Sequence, residues 1–224
     1  MHRSGTSCLT GCLEEAGLAL CDVNSKAPYN AKGNRENRSI MVLHDALLAD
    51  NGGAWDDPPS APLIWSAARL AERDALIAQY PTDRLWGFKD PRTVFTLEGW
   101  LEALPHARLV GTFRHPMMVA QSLKCRDGFA TEQALALWLS YNRRLETLLD
   151  RHGGQLVCFD WPRARYTEAV AAVARAHGLM PPKQGFSFFE SALRRSTGLA
   201  GQDMPPEVEA LYLSLRNRAA AAQR

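Results

Sequence analysis

The sequence predicts an α/β domain with a mainly parallel sheet, and three observations carry that expectation. Short β-type runs at residues 85–88 (LWGF), 108–113 (RLVGTF) and 155–159 (QLVCF) each lie between helical patterns, the alternation that places helices over a parallel sheet. Proline stands at helix starts (Pro116, Pro162) and glycine at helix ends (Gly17, Gly153, Gly178), where their backbone preferences fit. The chain has 224 residues, 46% of them hydrophobic. That is enough for one domain with a real core, so a single domain over residues 1–224 is expected.

Taken in order, SCLTGCLEEAG from Ser7 reads as a helix that ends at Gly17. Ile40, Leu43 and Leu47 form an apolar stripe on a second helix after Asn37. Residues 63–80, rich in alanine, make a third, and 94–103 a short fourth. Pro116 opens a helix through Leu123, and residues 131–152 form a long one closed by Gly153 and Gly154. Pro162 opens the next, ending near Gly178, and residues 205–222 form a helical tail. Residues 51–62 are a Gly/Pro-rich connector within the domain. No repeat or low-complexity block interrupts the chain.

Composition narrows the function. The formal net charge is +2, which gives no case for bulk nucleic-acid binding, so any anion site must be local. Five cysteines (Cys8, Cys12, Cys21, Cys125 and Cys158) form no CxxC pair. A disulfide framework or structural zinc is not expected; a reducing, cytoplasmic setting is. Cys8 and Cys12 share a helix face as small apolar residues. No apolar run approaches the ~20 residues of a membrane span, and the N-terminus lacks the apolar core of a signal peptide.

Two segments point to anions. Ser4-Gly5-Thr6-Ser7 runs directly into an amphipathic helix. A helix start offers unpaired N–H groups and the positive end of the dipole. Glycine lets backbone approach an anion, the hydroxyls add donors, and Arg3 adds a forked cation. An ordinary serine-capped helix would show the same residues. The loop is not a Walker A motif, because GxxxxGK followed by Ser or Thr is absent. In the second segment the strand 108–113 ends in Arg114-His115-Pro116, and Ser122 follows two helical turns on. Arg114 thus stands at the carboxyl end of a strand, where open α/β sheets bind ligands, and Ser122 is placed to face the same phosphate.

On these residues the chain resembles the sulfotransferases that use 3′-phosphoadenosine-5′-phosphosulfate (PAPS), in their bacterial branch. HRSGTS is similar to their 5′-phosphosulfate loop, and LVGTFRHPMMVAQSL to their 3′-phosphate element. WGFKDPRT and NAKGNREN resemble further segments of that branch. The likeness runs in order from Met1 to about Arg126; the last hundred or so residues match only loosely, through LVCFDW and a helix. It implies a P-loop-like three-layer domain, a mainly parallel central sheet flanked by helices, with the first strand missing or truncated before Met1. It implies a sulfuryl group moved from PAPS to a hydroxyl or amine of a small-molecule, sugar or lipid acceptor, leaving PAP, the desulfonated product, with no metal. Golgi members carry an anchor, and none is expected here.

The resemblance also implies roles. Arg3, Ser4, Gly5, Thr6 and Ser7 hold the 5′ end of the donor, with Arg3 acting in the chemistry as well; Arg114 and Ser122 hold the 3′-phosphate. Glu36, in KGNREN, takes the proton from the acceptor, against the plainer reading of a carboxylate at a helix start. Lys89 stabilises the leaving phosphate as positioning and charge stabilisation require. Asp90 is read as structural, orienting Lys89 or Arg3, and Arg92 is equally a site residue or part of a surface ion pair. Arg194 and Arg195 stand where family members bring a late basic segment, though a solvated pair fits as well. His115 is a hydrogen-bonded neighbour of Arg114, His2 has no chemical role, and the six tryptophans are mostly core. Two other readings stay open: a P-loop kinase-like phosphotransferase needing Mg²⁺ and ATP, and a non-catalytic nucleotide-binding remnant.

Overall fold

The computed structural model describes residues 1–26, 32–60, 62–189 and 203–221. Among them lie eight helices and a two-stranded parallel sheet, so the chain is α/β and mostly helical. It divides into two compact units. The first joins Met1–Gly17 to Leu109–Arg224, and the second is Leu18–Arg108.

In the first unit, α1 (Thr6–Glu15) follows the N-terminal loop directly. Strand β1 (Val110–Phe113) leads into α5 (Pro116–Asp127) and α6 (Thr131–His152), and the chain returns as β2 (Gln155–Cys158). The two strands pair in parallel with Val110 opposite Gln155 and Phe113 opposite Cys158. Parallel neighbours cannot be joined by a tight turn, and the α5–α6 pair supplies the long crossover they require. Proline at the first position of α5 opens the helix as the sequence predicts, and the helix runs past the expected Leu123 to Asp127, with Gly128, at φ 76°, after its end. Helices α7 (Arg163–Ala176) and α8 (Pro206–Ala221) complete the unit. Phe113, Leu123, Trp138, Tyr141, Leu149, Tyr166 and Leu215 are fully buried in its core.

In the second unit, α2 (Arg38–Asp50), α3 (Ala67–Ile77) and α4 (Thr93–Ala103) pack around Ile40, Leu43, Leu76, Tyr80 and Trp100. The apolar stripe read from Asn37 onward is the buried face of α2. Trp65 seats its indole over Gly99, where a Cβ would lie 2.3 Å from the ring; any side chain there would expel it. Trp86 stacks on Tyr80 with ring centres 4.1 Å apart.

The expected strand at residues 85–88 forms only an isolated parallel bridge, Trp86 with Ala19. Its alternating aromatic side chains fit a pleated strand, but Trp86 and Phe88 are taken up by the helical core of this unit, and packing outweighs β propensity. None of the five cysteines forms a disulfide. Cys12 and Cys158 are buried, Cys8 is half-buried, and Cys21 and Cys125 are exposed. Among the described residues no helix is long and apolar enough to cross a membrane.

Candidate functional site

The N-terminal loop of the first unit has an unusual backbone. Arg3 and Gly5 are both left-handed, at φ 61° and 82°. Left-handed residues that alternate with right-handed ones turn successive N–H groups toward one side in anion-binding nests, and two left-handed residues in this loop are the ingredient such a nest needs. Gly5 is the N-cap of α1 and offers no side-chain acceptor to the first-turn N–H groups, and that turn carries no acidic residue. The positive end of the helix is therefore not neutralised by its own capping residues.

Two contacts fix the loop. Ser4 is fully buried, and its carbonyl accepts a hydrogen bond of 3.1 Å from the Thr112 hydroxyl on β1. A Cβ on Gly5 would lie 2.2 Å from the Phe159 ring, so only glycine lets the loop settle on the segment that follows β2. The Ser4 hydroxyl turns to the His2 carbonyl at 3.4 Å. The His2 ring packs edge-on against Tyr141.

Arg3 and Ser122, 119 residues apart in sequence, are joined: the Arg3 Nε donates to the Ser122 Oγ at 2.8 Å. Both expected anion elements thus sit in the same unit, in contact. Arg114 leaves the end of β1 with 7% exposure. Its guanidinium lies 5.5 Å from the centre of the Phe159 ring, the ring that also backs Gly5. Its Nε is 3.5 Å from Asp160 Oδ1. The other oxygen of Asp160 accepts from the His115 backbone N–H at 2.6 Å. This carboxylate therefore stands at the start of α5 beside Arg114, where an arginine and a helix N-terminus together attract anions. The His115 ring packs against Tyr212, and burial holds its pKa below the ordinary histidine range.

In the second unit, Glu36 and Lys89 form a buried ion pair, Nζ to Oε1 2.6 Å, with side chains 8% and 10% exposed. Lys89 also donates to the Asn34 carbonyl at 3.0 Å. Burial lowers the Lys89 pKa, and the charges of Glu36 and Asp90 oppose that fall. The segment bearing Glu36 is pinned by Asn24, whose N–H donates to the Glu36 carbonyl at 3.0 Å and whose carbonyl accepts from Arg35 at 3.1 Å. Asn37 then caps α2, accepting from the Ser39 and Ile40 N–H groups, and so carries Glu36 at a fixed distance ahead of the helix.

Asp90, expected to orient Lys89 or Arg3, makes its side-chain contacts with Arg92 and His44. Its carboxylate takes Arg92 Nη1 at 2.8 and 3.0 Å and the Arg92 N–H at 2.8 Å, and faces His44 Nδ1 at 3.4 Å. Burial works against its charge, but His44 and Arg92 outweigh it and hold the carboxyl well below the usual range. Arg92 is shared between Asp90 and Asp45, so it belongs to a largely buried network and not to a surface turn. Arg194 and Arg195 lie outside the described residues.

Four participants escape a sequence reading: His44, Asp45, Phe159 and Asp160. His44 follows Ile40 by one helical turn on the apolar stripe, a spacing that marks it as buried. Phe159 and Asp160 follow a predicted strand, the same logic that singled out Arg114. Among the described residues no group of three or more His, Cys, Asp or Glu side chains is arranged to hold a metal. No family model, curated protein or solved structure matches the chain.

Proposed function

We propose that the protein is a PAPS-dependent sulfotransferase of P-loop-like, three-layer type. The observation that carries the reading is the Arg3–Ser122 hydrogen bond. It brings the two segments that the sequence assigns to the donor's phosphates together in one unit. In this reading the left-handed loop, residues 3–7 and the start of α1, receives the phosphosulfate through N–H groups and the Arg3 guanidinium. Arg114 and Ser122 receive the 3′-phosphate. Phe159 supports both the loop and Arg114, so displacing it would disturb both ends of the nucleotide together.

Glu36 is the proton acceptor for the incoming hydroxyl or amine, and Lys89 is the cation that stabilises charge on the leaving phosphate. In their resting ion pair each side chain offsets part of the cost of the other's burial. The atoms balance simply: the acceptor oxygen bonds to sulfur, the bond from sulfur to the bridging phosphate oxygen breaks, and the acceptor proton passes to Glu36. Acceptors are small-molecule, sugar or lipid in this reading.

Calorimetric titration of PAP into the full chain tests it. Binding at sub-millimolar PAP is expected. Ser122→Ala weakens it about tenfold, the worth of a lost hydrogen bond to a charged group. Absence of heat at that concentration, or a melting temperature raised by Mg-ATP and not by PAP, overturns the reading.

A further inference from the structure

We propose that His44 and Asp90 are positioning residues that hold the Lys89 ammonium against Glu36. The inference rests on the reading of Glu36 and Lys89 as the reacting pair. A run of polar side chains crosses the core of the second unit. From α4, the indole N–H of Trp100 donates to His44 Nε2 at 2.9 Å, and the Thr96 hydroxyl lies 3.1 Å from the same nitrogen. An indole only donates, so Nε2 accepts and the ring proton is on Nδ1. Nδ1 lies 3.4 Å from Asp90 Oδ2, a close contact that is not aligned as a hydrogen bond. Asp90, in turn, is the residue next to Lys89 and is locked by Arg92.

The side chains of His44 and Asp90 are 0% exposed. An apolar core would fill the same space at no electrostatic cost, since buried charges stabilise little unless geometry is nearly ideal. The run is placed where it serves the pair. His44 lies on α2, which the Glu36 segment immediately precedes, and Asp90 lies on the turn that carries Lys89. The 89–92 turn thus meets α2 through the His44–Asp90 contact and the segment just ahead of α2 through the Glu36–Lys89 ion pair. His44 and Arg92 together favour the ionised Asp90 carboxylate, and that negative charge favours the ammonium form of Lys89.

The test reads Lys89 itself and needs no turnover. Folded full-length protein is pulse-labelled with acetic anhydride across pH, and acetylation at Lys89 is followed by peptide mass spectrometry. Asp90→Asn shifts the Lys89 profile to lower pH and raises its rate at about pH 8 roughly tenfold, the effect of one pKa unit. His44→Phe shifts it in the same direction. Leu47→Ala, a cavity in the buried face of the same helix, lowers stability but leaves the profile in place. An Asp90→Asn profile that superimposes on the native one overturns the proposal, as does a Leu47→Ala profile that moves equally far. Should Asp90→Asn fail to fold, His44→Phe carries the same criterion. A missing PAP signal would remove the sulfotransferase reading and leave these rates unchanged, so the two failures are separate.

Discussion

Gly5 has a positive φ and also a ring where its Cβ would be. Alanine there adds both left-handed strain and a collision with Phe159. Gly128 has nearly the same φ, 76°, but nothing within 4 Å of where a Cβ would stand, and so separates the two effects. Gly128→Ala is expected to cost about 1 kcal/mol, and Gly5→Ala at least twice that, by urea denaturation. If the proposed donor site holds PAP, Gly5→Ala is expected to weaken that binding as well, by pushing on the Phe159 ring that lies beside Arg114, and Gly128→Ala is not. Equal losses in the two variants would show that the ring contact contributes nothing. The same ring explains why a sequence reading finds the glycine but not its reason. A small residue before a helix is visible locally, whereas the side chain that demands it comes from the far end of β2.

Helix α2 illustrates how an element places a residue that it does not contain. Asn37 ends the extended segment and accepts from two first-turn N–H groups, and Glu36 is held one residue ahead. Asn37→Ala is expected to lower stability by about 1 kcal/mol, and Asn37→Asp to retain most of it, since aspartate caps as well and suits the helix dipole. Denaturation midpoints of the two variants decide this; equal losses would mean that the cap is not what anchors the helix start. The elements were legible, their ends less so: the helix expected over 63–80 is Ala67–Ile77, and the one expected to stop at Leu123 runs to Asp127. All eight helices among the described residues lie where periodicity, proline and glycine place them, because those signals act within a few residues. The exception is residues 85–88, where an alternating pattern of aromatics matches a strand and tertiary packing leaves only a single bridge.

For the whole molecule, the pH dependence of stability reports on His115. Burial depresses its pKa, so at mildly acidic pH the unfolded chain binds a proton that the folded chain refuses. Stability then falls as pH drops from the ordinary histidine value toward the lower folded one. The loss of urea midpoint between about pH 7.5 and 5.5 is expected to shrink in His115→Gln. An unchanged loss would assign the acid sensitivity to other groups. The Asp90 carboxylate acts in a lower window. Its pKa is depressed, so its contribution is full above the ordinary carboxylate value and disappears as pH falls toward the folded one.

The amino-acid sequence by itself determined the helices, the two parallel strands and the segments rich in anion-binding chemistry, because spacing, capping and turn preferences are local. It also placed Arg114 at the end of a strand and Ser122 two turns into the next helix. Tertiary structure alone decided the partners. Arg3 reaches Ser122 across 119 residues, and Lys89 reaches Glu36 across 53. Asp160 closes on Arg114, and His44 on Asp90. An ion pair or a buried hydrogen bond forms where packing leaves two groups out of water together, and nothing in the spacing of either segment encodes the other's position.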